Sequence, residues 1–232
     1  MNPNKMPSVL VWDTPVRVFH WLLVVCFFGA FVSADSEHWR LLHITLGYTA
    51  TALVVFRLLW GLVGTRHARF TDFVRGPRAV AAYLKSLLRG QPAHHVGHNP
   101  AGAFAIVALL GLALVVSVSG WGAEVKLAGE WLAELHEAAS NLMLGVVALH
   151  VLGVVVSSWL HRENLVLGML TGRKPASPQE GIRHAWHSVG VLMLVAVLGF
   201  WWTQWQGRPA AQAVAGAPAA SAQHQGRARD DD

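Results

Sequence analysis

Four long apolar stretches and one shorter one divide the chain. They run from about Val16 to Ala34, Leu41 to Val63, Ala101 to Trp121, His136 to Leu160, and Ser188 to Trp205. Each approaches the roughly 20 residues that a helix rising 1.5 Å per residue needs to cross a bilayer. The pattern predicts five transmembrane helices, the last ending in the aromatic run WWTQW. Between the second and third, PRAVAAYLKSLLR places Val80, Tyr83, Leu84, Leu87 and Leu88 on one face, with Pro77 at its start and Gly90 at its end. That predicts a short amphipathic helix lying on the inner leaflet. From Gly207 onward Ala, Gln, Gly and Pro dominate, which predicts a disordered tail.

Composition supports a membrane chain. Of 232 residues 53% are hydrophobic and 13% charged, about half the charge of a soluble domain. Mean hydropathy is +0.40. The net charge of +5 is read as topology rather than nucleic-acid binding. Arg66, Arg69, Arg75, Arg78, Lys85 and Arg89 fill the loop after span two, and Arg162, Arg173, Lys174 and Arg183 the loop after span four. The opposite loops hold only Arg40 and Lys126 among Asp35, Glu37, Glu124, Glu130 and Glu134. The positive-inside bias therefore predicts a multi-pass membrane protein, amino terminus cytoplasmic and carboxyl terminus on the opposite side. The first span, with Val32-Ser33-Ala34, has the outline of a cleaved signal peptide. Arg17 and His20 inside the run, and the residues preceding it, argue for a retained helix.

Four histidines, His20, His43, His136 and His150, fall in or at the ends of spans, where ionisable groups are rare. His136 and His150 are fourteen residues apart, nearly four helical turns, so they share a face about 21 Å apart along the axis. His20 lies at the depth of His150 and His43 at the depth of His136. Two imidazole pairs, one per leaflet, suit two bis-histidine haem sites in a helix bundle. The single cysteine, Cys26, and the lack of CxxCH point to non-covalent haem b. Arg57, fourteen residues after His43, is a candidate counter-charge for an inner haem propionate, or snorkels to the interface. Gly47 and Gly145 would let a flat macrocycle approach, or serve ordinary helix packing. His94, His95 and His98 form HHxxH in a basic loop and read as solvated, while His161, His184 and His187 read as interfacial.

WDTPVRVFHW (12–21), RLLHITLGY (40–48), FRLLWG (56–61), GHNPAG (97–102) and LHEAASNLMLGVVALHV (135–151) together resemble the bacterial cytochrome b561 family and the related b-type cytochrome subunits of nickel–iron hydrogenases. The resemblance implies an all-α integral membrane four-helix haem-binding bundle over residues 1–175. It leaves residues 176–206 as a fifth transmembrane helix and 207–232 as a tail. It implies pairing of His20 with His150 and of His43 with His136. It also implies electron transfer between a periplasmic redox partner, such as a cytochrome c, and the quinone pool, with ubiquinone a candidate. Asp13, Arg17 and Asn99 would organise the cytoplasmic surface near the inner haem or a quinone headgroup. The short loop from Gly122 to Leu135 argues against docking a hydrogenase. A second reading is a superoxide oxidase, with Arg40 and Lys126 attracting a small redox substrate. A third, of another class, is a non-redox membrane anchor or metal transporter. Lipid is an expected partner and nucleic acid is not.

Overall fold

A computed structural model describes residues 7–89 and 95–206. In chain order the elements are β1 (Ser8–Leu10), α1 (Thr14–Val32), α2 (Arg40–Val63), α3 (Phe70–Phe73), α4 (Pro77–Leu88), α5 (Pro100–Glu124), α6 (Trp131–His161), α7 (Leu165–Thr171), β2 (Arg173–Pro175) and α8 (His187–Gln206). Helices α1, α2, α5, α6 and α8 are long and apolar enough to cross a membrane, the five expected spans. The chain divides into two compact units, residues 1–195 and 196–232. Gly90, His94 and the tail from Gly207 lie outside the described residues.

The helix starts follow from local chemistry. Asp13 caps α1, accepting from Val16 N at 2.9 Å, and Asn99 caps α5, accepting from Gly102 N at 2.7 Å. A proline follows each cap, where its fixed φ suits the first turn. Helix α6 begins at Trp131, five residues before the sequence boundary, and ends at Arg162 in the left-handed region (φ 50°). Inside the spans, Thr45, Thr49 and Thr51 return their hydroxyl protons to carbonyls four residues back, at 2.7, 2.7 and 2.9 Å. That satisfies them where no water is available.

In the first unit α1 packs on α2, α2 on α5, and α5 on α6. Among the described residues α1 and α6 do not pack closely on one another. The α1–α2 approach is tight at Gly29, where a Cβ would stand 2.6 Å from Leu46 Cδ1. Leu46, Leu53 and Val54 of α2 are buried, as are Leu110 and Ala113 of α5 and Ala139 and Met143 of α6. Lipid is as apolar as these side chains, so dispersion packing rather than water exclusion holds them together. Outward faces are apolar, Leu149 being 67% and Val118 65% exposed. Exposed tryptophans sit near both ends, Trp39, Trp121 and Trp131 at one and Trp159 and Trp186 at the other, as at the two edges of a bilayer.

The end carrying the basic loops, the basic end, is closed by a small cap that the sequence pattern did not announce. Strand β1 pairs antiparallel with β2, Val9 opposite Lys174. Gly172 (φ 78°) ends α7, and its carbonyl accepts from Val11 N (2.8 Å) and Trp12 N (3.0 Å). A Cβ there would meet Trp12 O at 2.6 Å, so glycine is required for both conformation and space. Ile182 N and Thr14 N extend the cap, donating to Leu10 O and to Ala185 O, each at 2.8 Å.

Candidate haem-binding sites

At the end opposite the cap, His43 of α2 faces His136 of α6. Their ring centroids are 6.0 Å apart and the planes nearly perpendicular (80°). His43 Nδ1 is 2.8 Å from Ala30 O and His136 Nδ1 is 2.9 Å from Val116 O. A carbonyl oxygen can only accept, so each Nδ1 carries the proton and each Nε2 keeps its lone pair. A backbone carbonyl fixing the tautomer of a ligating histidine is the usual supporting arrangement. A metal–nitrogen bond of about 2.0–2.1 Å on each side, with about 1.1 Å from nitrogen to centroid, places two such rings about 6 Å apart. The 6.0 Å centroid separation is of the size that a metal ion between the two rings requires.

Gly120 of α5 makes this fit possible. A Cβ there would stand 2.7 Å from both Cε1 and Nδ1 of His136. Gly120→Val should push His136 off its carbonyl and lower the haem content, a loss read directly by pyridine haemochrome assay. Gly47, on the His43 face, has nothing within 4 Å of its would-be Cβ. Gly145 does not serve a macrocycle between His136 and His150. It is exposed, about 180° around the helix from His136.

At the basic end, His20 and His150 lie within electrostatic range of each other. His20 packs edge-on against Trp21 at 5.0 Å, and its buried Nδ1 has no partner. Arg57 is 3% exposed and so does not snorkel out. Its guanidinium lies over Phe70 at 4.9 Å and beside Phe73 at 5.9 Å, with Nη1 buried and unpartnered. Orphaned polar nitrogens around His20 and Arg57 fit a ligand bringing both a metal and negative charge.

Of the residues flagged by resemblance, Asp13 and Arg17 join α1 to the elements around the cap, and Asn99 starts α5. Asp13, 1% exposed, accepts from Trp60 Nε1 (3.0 Å) and Thr65 Oγ1 (2.6 Å) as well as Val16 N. Arg17 donates to the carbonyls of Met169 and Leu170, and Asn99 caps α5.

His98 departs from the solvated reading. Its ring is held between Trp12 (4.5 Å) and Phe73 (4.4 Å), and its buried Nδ1 has no partner. Burial, with the charges of Arg57, His67, Lys174 and His150, pushes its imidazolium down to about 3, so the ring is neutral. His95 packs on Tyr83 at 5.7 Å. His67, unremarked in the sequence, is 7% exposed and donates from Nε2 to Glu180 O at 2.8 Å. A cavity of about 460 Å³ opens beside His98, lined also by Arg66, His67, Asp72, Phe73 and His95. Buried Lys174 pairs with Glu163 at 3.2 Å and donates to Val96 O. Among the described residues no cluster of three or more His, Cys, Asp or Glu could hold a metal ion.

Comparison with known proteins places these features in context. A sequence model described as prokaryotic cytochrome b561 matches residues 11–172. Relatives named "Probable Ni/Fe-hydrogenase B-type cytochrome subunit" include one from Rhizobium leguminosarum bv. viciae, 23% identical over 72% of this chain and 89% of its own. One from Azotobacter vinelandii is 25% identical over 83% of this chain and 78% of its own. The relative named "Probable Ni/Fe-hydrogenase 1 B-type cytochrome subunit", from Escherichia coli K12, is 26% identical over 51% of this chain and 61% of its own. No solved structure matches.

Proposed function

The chain belongs to the prokaryotic cytochrome b561 family, and on that premise we propose that it carries electrons across the bacterial inner membrane between a periplasmic redox partner and the quinone pool. As a member it is a multi-pass membrane b-type cytochrome. In this reading two haems b are held by His43 with His136 and by His20 with His150, with Arg57 opposing a propionate of the second. The observation that carries it is the facing of His43 and His136 at 6.0 Å with both Nδ1 protons committed to carbonyls. Bound there, haem iron supplies one-electron chemistry, its potential set by axial ligation, burial and hydrogen bonding.

The chain's own part is to orient and insulate. Ala30 O and Val116 O hold two imidazoles in the ligating tautomer. The apolar spans exclude water, and the Asp13-centred cap covers the basic end. That end is read as cytoplasmic because it gathers the lysines and arginines. At the opposite end Arg40 holds Glu124 at 2.7 Å, joining α2 to α5. A paired Arg40 offers little free charge to attract superoxide, so the superoxide-oxidase reading gains nothing from it. The relatives' names favour a Ni/Fe-hydrogenase over a cytochrome c as the partner, despite the short loop from Gly122 to Leu135.

Purified protein should contain two haems b per chain by pyridine haemochrome assay. Both should be reduced by dithionite and reoxidised by a soluble ubiquinone analogue. One haem would remove one histidine pair; none, after expression with ample haem, would overturn the proposal.

A further inference from the structure

The basic end holds more buried positive and hydrogen-bond-donating groups than its carboxylates can serve. His20 Nδ1, Arg57 Nη1 and His98 Nδ1 are all buried without partners. His98 feels Arg57, His67, Lys174 and His150, and every one of these opposes a further positive charge there. The nearby carboxylates are already engaged. Asp13 accepts three hydrogen bonds, Glu163 pairs with Lys174, and Asp72 faces Arg66 and His67. Buried nitrogens without partners, close to the Arg57 and Lys174 cations, favour an anion that accepts from them.

Phe73 links two of the orphans. It touches the His98 ring at 4.4 Å and flanks the Arg57 guanidinium at 5.9 Å, so one aromatic wall positions both. Trp12 closes the other side of His98 at 4.5 Å, and Trp12 is anchored by its backbone bond to Gly172. The imidazole is thus clamped rather than free to turn to water. We propose that His98, through its Nδ1–H, binds a propionate carboxylate of the haem at His20 and His150, sharing that anion with Arg57. This rests on the two-haem reading above and adds a residue that no ligand spacing pointed to. His98 is here a positioning residue: it sets the charge balance around the haem without touching the iron.

The test is a redox titration of purified protein followed in the haem bands, with wild type, His98→Phe and His98→Gln. Phenylalanine keeps the packing between Trp12 and Phe73 and deletes the donor, whereas glutamine keeps a donor. His98→Phe should retain two haems. One component should become harder to reduce, with a roughly tenfold lower Fe(II)/Fe(III) ratio at fixed poise, about 59 mV for one electron. The other component should not move, and glutamine should restore most of the shift. The component that moves should be the one missing from His20→Ala. Apoprotein loaded with haem dimethyl ester, whose propionates are blocked, should show no difference between wild type and His98→Phe.

Unchanged potentials in a two-haem His98→Phe protein would overturn the proposal. So would unchanged potentials with slowed quinone reaction, which would move His98 to a quinone site. If His98→Phe does not accumulate, the ester in wild type decides the matter. Weaker binding at the His20 site than at the His43 site supports the proposal, and equal binding overturns it. A wild type without two haems would instead fail the function proposed above.

Discussion

Replacing His150 with leucine should lower the haem content from two per chain to one, with the surviving haem keeping its spectrum and potential. The two histidines of α6 are fourteen residues, about 21 Å, apart on one face. In the proposed pairing each also belongs with a different partner helix, His136 with α2, whose His43 faces it, and His150 with α1. The sites share no side chain, so their losses should be separable. The cost at the affected site should exceed the roughly 10–100-fold that removing an outer-shell partner costs, because the coordinating nitrogen itself is gone. His20→Ala should reproduce the His150 result, and His43→Ala or His136→Leu should remove the other haem. Equal loss of both haems from any one of these variants would refute the pairing. Haemochrome assay with optical redox titration decides.

The second large effect is expected at Asp13. Its carboxylate caps α1 through Val16 N and joins it to Trp60 Nε1 and Thr65 Oγ1 at the end of α2. Asp13→Ala removes the cap, worth about 1 kcal/mol. It also leaves two donors without their acceptor, at about 1–3 kcal/mol for each that stays buried. The nearby Arg57 charge then loses its compensating carboxylate. A destabilisation of roughly 3 kcal/mol or more is expected, read as a lower thermal midpoint in detergent. Asp13→Asn should recover part of it, because the amide oxygen still accepts while the charge is lost. A midpoint unchanged in Asp13→Ala would show that the cap contributes little.

The spans and the face shared by His136 and His150 were legible because both are local properties of one helix. Twenty apolar residues measure a bilayer, and fourteen residues complete nearly four turns wherever the helix is placed. Contacts between helices carry no such signature. Gly120 matters because His136, on another helix, lies against it, and nothing in GWG distinguishes it from Gly145, which faces away. Strands β1 and β2 are three residues each, too short for alternation to show. His98 read as solvated because its neighbours are polar and basic; the rings that bury it, Trp12 and Phe73, come from 86 and 25 residues earlier in the chain. Resemblance drew attention to Asp13 and Asn99, but only the hydrogen bonds revealed that both cap helices.

The pairing of Ser8–Leu10 with Arg173–Pro175 also has a consequence for biosynthesis. The first strand leaves the ribosome more than 160 residues before its partner. At roughly 5–20 residues per second that interval is on the order of ten to thirty seconds. Throughout it, α1 is without the β1–β2 ladder that later ties the segment before it to the segment after α7. The ladder can form only after α6 has been synthesised, so this closure comes late in the making of the chain. Mutations that weaken the ladder should delay this closure, leaving the two ends of the chain joined late or loosely.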